Sequence, residues 1–268
     1  MPAARPARQS RGGLPGSGRP GARSAVGSEA LDTPAASRAG PVLHCPSVRG
    51  PLARAGGARM IFHGYYADVP ADEVDRFVRS QELGRLVTVG EDGTPHVGLY
   101  PFIVSGNLIE LHIVREDEQA ADLRARPRCV FEVDEVLAVI PSYWVHPEYA
   151  GAATAYHRTV IFECLGSVSE EPEAVAAQQL RLLAKHQQEG GFRSLAVGDP
   201  LYAGHLARLA ALGLQVLRRR VKFKLGQNRP VETRRRVIAE LRKRGRPNDA
   251  RAADALEWTI ARSAPPSA

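Results

Sequence analysis

The stretch "GRLVTVGEDGTPHVGLYPFIVSGNLIELHIV", residues 84–114, restricts the possible folds more than any other part of the chain. Apolar and β-branched residues come in three short runs, broken by Glu91-Asp92-Gly93 and by Ser105-Gly106-Asn107. Turns this short between such runs join antiparallel neighbours. The predicted strands are residues 85–89, 96–104 and 108–114, forming an antiparallel meander.

Ahead of the meander, Asp68 and Pro70 mark a helix start. Val74, Phe77 and Val78 follow at helical spacing, so a helix is expected to run to about Gln81. Behind it, residues 117–126 read as a short helix stopped by Pro127. "RCVFEV" and "VLAVI" read as two strands on either side of Asp134-Glu135, "RTVIFECLGSVS" as a sixth strand and "LQVLRRRVKFKL" as the last. An aromatic loop, residues 141–157, separates the fifth and sixth. Helices are predicted over 171–188, 200–212, 231–244 and 249–262. Many short strands with neighbouring turns give a mainly β fold with flanking helices (α+β), a small barrel carrying its helices outside.

The formal net charge of +7 invites a nucleic-acid reading. The charge sits in the first segment: residues 1–59 carry nine arginines against Glu29 and Asp32, with ten glycines, eight prolines and no aromatic residue. Such a segment buries too little apolar surface to offset its conformational entropy. We expect a disordered tail over 1–59 or translation from Met60, a barrel domain over 60–245, and a C-terminal helix and tail over 246–268. Cys45, Cys129 and Cys164 form no CxxC pair and read as reduced, buried thiols of a cytoplasmic protein. No run is long and apolar enough for a membrane helix. The histidines show no metal-ligand spacing, and no GxSxG, Walker or GxGxxG motif occurs.

Within the barrel domain, "VKFKLGQNRP" (221–230) concentrates polar chemistry around one glycine. Lys222 and Lys224 share a face if the segment is a strand. Gln227, Asn228 and Arg229 then stand at a turn before Pro230. Two readings stay open: a clamp for an anion, or a solvated strand face with amides capping the next helix.

Three motifs resemble one family. "LYPFIV" with "HIVREDEQ", "IPSYW" at 140–144, and "KFKLGQNRP" at 222–230 are similar to motifs of the PaiB family, FMN-binding negative transcriptional regulators with the split-barrel fold of pyridoxamine-phosphate oxidases. The last corresponds to a Lys-x-Lys-Leu-Ser-Gln-Asn-Arg signature, with Gly226 in place of Ser. The likeness runs from about Met60 to about Leu241. Gln119 stands where split-barrel oxidases tend to carry Lys, and "YHRT" (156–159) replaces a Thr-Trp-Asn-Tyr stretch.

The resemblance implies an FMN-binding split β-barrel, paired into a homodimer with the cofactor at the interface. FMN needs cationic and amide donors for its phosphate and an apolar or aromatic wall for its ring. The residues carried over as cofactor contacts are Arg115, Gln119, Ser142, Lys222, Lys224, Gln227, Asn228 and Arg229. The implied function is transcriptional repression. The alternatives are a flavin-dependent oxidoreductase and a haem-binding split barrel. Residues 218–246 hold thirteen Lys and Arg against Glu232 and Glu240. That segment either contacts DNA phosphates or neutralises an acidic surface of the protein.

Overall fold

The computed structural model describes residues 63–263. The segment 1–59, the Met60 start and Cys45 lie outside the described residues. In chain order the elements are α1 (Gly64–Ala67), α2 (Ala71–Ser80), β1 (Leu83–Val89), β2 (Pro95–Pro101), β3 (Ile103–Ser105), β4 (Leu108–Val114) and α3 (Glu118–Ala125). They continue with β5 (Arg128–Ile140), β6 (Thr154–Ser169), α4 (Pro172–His186), α5 (Pro200–Leu206), β7 (Leu209–Lys224), α6 (Val231–Arg244) and α7 (Asp249–Ala261). The seven strands form one sheet in the order β2-β1-β5-β6-β7-β4-β3, and every pairing is antiparallel.

The two edges of that sheet, β2 and β3, are consecutive in the chain and joined by Phe102 alone. One residue spans less than 4 Å, so the edges must meet and the sheet must roll into a barrel. The expected strand over 96–104 is therefore two strands. Its first half pairs with β1 and its second with β4, at opposite ends of the strand order. Pro101 has no N–H to continue the ladder. Phe102 is fully buried and packs edge-on against Phe131, with ring centroids 5.1 Å apart. Its carbonyl accepts from Lys185 Nζ of α4 at 2.9 Å. The inward faces of the strands, including Leu86, Leu111, Phe131, Val133, Val160, Leu214 and Phe223, fill the interior.

Two further expectations differ. Residues 128–140 are one strand, with a bulge between Val136 and Ala138 in place of a turn at Asp134-Glu135. Both acids are held by cations: Asp134 by Arg85, Glu135 by Arg158 and Arg251. No turn is needed to solvate them. The helix expected over 200–212 ends at Leu206, and Leu209–Leu212 belong to β7. Residues 209–214 are buried on both faces, because α4 covers the outer one through Val175 and Ala176. A short apolar run of this kind has no period that separates strand from helix. α6 ends at Gly245, whose φ of 65° gives the left-handed cap that a side chain resists.

The seam is the point at which closure is most exposed to a cavity. Phe102→Ala should destabilise the fold by about 3–5 kcal/mol, read as a lowered urea midpoint. A loss below about 1 kcal/mol would mean that the barrel does not depend on this ring.

Candidate functional site

Along the end of β7, side chains alternate. Phe223 points into the core and is fully buried, which sends Lys222 and Lys224 to the other face together. At Gly226 the chain turns with φ 79°, a conformation that favours glycine. The turn closes with Arg229 N–H donating to Gly226 O at 2.9 Å. Gln227 is spent on the turn itself: its Oε1 accepts from Leu225 N–H at 2.8 Å and its Nε2 donates to Phe223 O at 2.6 Å. Asn228 and Arg229 are left to face the same space as the two lysines.

That space is a cleft of about 460 Å³. Lys222, Lys224, Asn228 and Arg229 line it from β7 and the turn. His63, Tyr65 and Tyr66 line it from the α1 region, Val145 and Gly151–Ala153 from the β5–β6 connection, and Thr154 and Tyr156 from β6. Tyr66 Oη donates to Asn228 Oδ1 at 3.2 Å, and Lys224 Nζ donates to Thr154 Oγ1 at 2.6 Å. None of the described lining residues is acidic.

The electrostatics follow. Burial lowers the pKa of Lys224, and neighbouring Lys222 lowers it further. His157, beside Lys224 on β6, is lowered by burial and then by both lysines. Tyr156 is pushed up to about 12 by burial, with Arg229 opposing and Tyr66 reinforcing. Like charges crowd a desolvated wall, and an anion in the cleft would relieve them.

The other sequence-expected contacts lie elsewhere. Arg115 donates to Glu170 O at 3.1 Å and pairs with the Glu170 carboxylate at 3.3 Å. Gln119 is 2% exposed and turned inward: Oε1 accepts from Tyr100 Oη at 2.6 Å, and Nε2 donates to Leu86 O at 3.0 Å and His96 O at 3.2 Å. The start of α3 beside it is capped by Asp117, whose carboxylate accepts from Gln119 N–H at 2.8 Å. Ser142 opens a 3₁₀ turn, and its carbonyl accepts from Val145 and His146 N–H. Four of the carried-over residues thus converge on one cleft, Gln227 shapes it, and Arg115, Gln119 and Ser142 are outside its lining. Sequence reasoning missed Tyr66, Thr154 and Tyr156. The paired tyrosines in "GYYADVP" were the available signal for the first. An earlier start to β6, which puts residues 154 and 156 on one face, was the signal for the others.

Most of the basic segment is engaged within the chain. Arg218 and Arg220 lie 3.9 and 3.4 Å from Glu163, and Arg219 lies 2.5 Å from Asp75. Arg234 is buried and donates to Thr259 Oγ1 at 2.9 Å. Arg236 donates to the carbonyls of Trp144 and Val145 at 2.8 and 2.9 Å. Arg242 pairs with Glu257 and Asp254, and Arg244 with Asp249. Arg235, Lys243 and Arg246 remain exposed.

Fold and site define a closed antiparallel barrel with a cationic, tyrosine-walled cleft at the end of its last strand. Residues 60–215 match the family described as "Putative FMN-binding domain", and the chain belongs to that family. FMN is the cofactor that the family description names. The matched region stops before Lys222. No curated protein matches the chain. Among solved structures, a conserved hypothetical protein of Mycobacterium tuberculosis is similar at 21% identity, over 59% of this chain and 88% of that one, with a TM-score of 0.45. A flavocytochrome of Azotobacter vinelandii is similar at 16% identity, over 59% and 69%, with a TM-score of 0.48. An FAD and haem binding protein of Mycobacterium smegmatis is similar at 15% identity, over 58% and 71%, with a TM-score of 0.46. Among the described residues no helix is long and apolar enough to cross a membrane, and no cluster of three or more metal-ligating side chains occurs.

The Tyr156 shift has a pH consequence. Below pH 10 the phenol is neutral in both folded and unfolded chains. Between about 10 and 12 only the unfolded chain ionises, so stability is lost as pH climbs through that window. Tyr156→Phe should flatten the fall between pH 9 and 11.5 by about 1–2 kcal/mol, read from urea midpoints. An unchanged slope would mean that Tyr156 titrates normally.

Proposed function

We propose that the cleft at the end of β7 is where this chain holds FMN, with Lys222, Lys224 and Arg229 on the phosphate and Asn228 and Thr154 completing its donors. The observation that carries this reading is the gathering of three cations around one cleft whose described lining includes no acidic residue. Among the described residues no carboxylate pairs with Lys224 or Arg229. A phosphate dianion is a partner that suits Lys224 and Arg229. Tyr65, 43% exposed, packs edge-on against the buried Tyr66 with centroids 4.4 Å apart and gives the cleft an aromatic wall. When bound, the flavin supplies a reversible two-electron carrier. The chain's own residues bind and orient it, and no acid or base for substrate is assigned.

Titration with FMN and with riboflavin isolates the phosphate contacts. Lys224→Ala and Arg229→Ala should each weaken FMN about tenfold or more, since charged hydrogen bonds contribute about 1.5–3 kcal/mol, and leave riboflavin unchanged. Equal FMN affinity in wild type and both variants would remove the cleft as the phosphate site.

We further propose a PaiB-type regulator, dimeric and cytoplasmic. The PaiB-like motifs support the regulator. The free, buried Cys129 and Cys164 support a reducing compartment. An apolar stripe on the outer barrel supports pairing: Val97 (63% exposed) lies opposite Val87, which lies opposite Val130, and Leu99 (54% exposed) adjoins them. Any DNA contact falls to Arg235, Lys243 and Arg246, since the rest of the basic segment is engaged within the chain or faces the cleft. Sedimentation with a mixed-sequence duplex should give a dimer whose salt-dependent binding weakens in the Arg235→Gln, Lys243→Gln double variant. A monomer, or retention indifferent to both changes, would defeat this reading.

A further inference from the structure

A second cleft, of about 640 Å³, lies between α4 and the Phe102 seam. It is separate from the basic cleft, with which it shares no lining residue. α4 forms one wall, the α2–β1 connection another, and Pro101 and His112 of the barrel also line it. Two of its lining residues each bury a polar atom that has no hydrogen-bond partner among the described residues: Nδ1 of His112 and Nε2 of Gln179. Folded proteins rarely leave such atoms unmet. Two in one cleft point to a partner that the chain does not supply.

The chemistry of that partner can be read from its surroundings. Gln179 Nε2 is a donor only. Lys185 is already engaged: it donates to Gln81 O at 2.6 Å and to Phe102 O at 2.9 Å, and its ammonium lies 4.2 Å from the centre of the Phe102 ring. Burial, followed by the charge of His205, favours the neutral His112 ring, whose single N–H can sit on Nδ1 when an acceptor faces it. Both unmet atoms can thus act as N–H donors, and the one acidic residue among the described lining residues, Glu82, is exposed. Leu83, Leu182 and Leu183 add apolar wall. We propose that this cleft binds a small organic acid, its carboxylate drawing the buried N–H groups of Gln179 and His112 outward by side-chain rotation and its apolar body lying against the leucines. Such a ligand would bridge α4 and the joint between β2 and β3.

Calorimetric titration of the full chain with hexanoate, and with hexanamide as the uncharged counterpart, tests this. Hexanoate should bind, and hexanamide at least tenfold more weakly. Gln179→Leu and His112→Leu should each weaken hexanoate at least tenfold while the ligand-free melting temperature holds or rises, because each removes an unmet polar group. Gln179→Glu, nearly isosteric and acidic, should abolish binding with the fold intact. FMN affinity should be the same in all three, which keeps this result independent of the flavin cleft. Absence of hexanoate binding at millimolar concentration, equal binding of acid and amide, or hexanoate affinity unaltered in the variants would overturn the proposal.

Discussion

β7 is the constraint on which the structure rests. Its sixteen residues pair with β6 over most of their length and with β4 over the first half. The start of the strand must be apolar on both faces, since the barrel lies on one side and α4 on the other. The end must be apolar on one face only, since the other opens onto a cleft. "LAALGL" and "VKFK" meet these two demands in one strand. The same backbone that buries Phe223 delivers Lys222 and Lys224 side by side, so the cationic wall follows from the core packing. A register slip of one residue would send the lysines into the barrel and Phe223 into the cleft.

Holding those lysines together has an energetic cost, visible in the lowered pKa of Lys224 and in the neutral form favoured for His157. Elsewhere the protein avoids this cost. Glu110 is buried but takes a bidentate contact from Arg181 at 3.1 and 2.5 Å. Asp249 is buried and gripped by Arg244. Four of the five arginines of α6 are dispersed onto carbonyls, hydroxyls and acids. The barrel thus has carboxylates with which to neutralise cations, and none is among the described residues that line the basic cleft. An exposed basic patch is usually a solvated surface worth little; a half-buried one gains more from an anion brought to it.

The meander was legible because its turns are decided locally, by Asp92-Gly93 and Gly106-Asn107. The break at Phe102 was not, because it depends on which strand each half finds as partner, and those partners lie at opposite edges of the sheet. The boundary between α5 and β7 was hidden for a similar reason: a run buried on both faces loses its period. In the site, Lys222, Lys224, Asn228 and Arg229 could be read together because strand alternation and one turn suffice to place them. Arg115 and Gln119 could not be judged, because their partners, Glu170 and Tyr100, come from other elements. Tyr66 reaches Asn228 from 162 residues away along the chain, and no local pattern records that.

The turn at Gly226 also ties the two walls of the cleft to one helix. Pro230 follows Arg229 directly and caps α6. Near the middle of that helix Arg236 holds the carbonyls of Trp144 and Val145, and Val145 lines the opposite wall. At its end Arg244 stacks over the Trp144 ring at 4.8 Å and donates to Val139 O at 2.9 Å. The cationic turn and the β5–β6 connection are therefore fixed to the same rigid body. A shift of the turn toward a bound anion must carry α6 with it or break the Arg236 contacts, and either way the opposite wall responds. Arg236 and Arg244, which look from sequence like part of a surface for nucleic acid, act here as struts that hold the β5–β6 connection against α6.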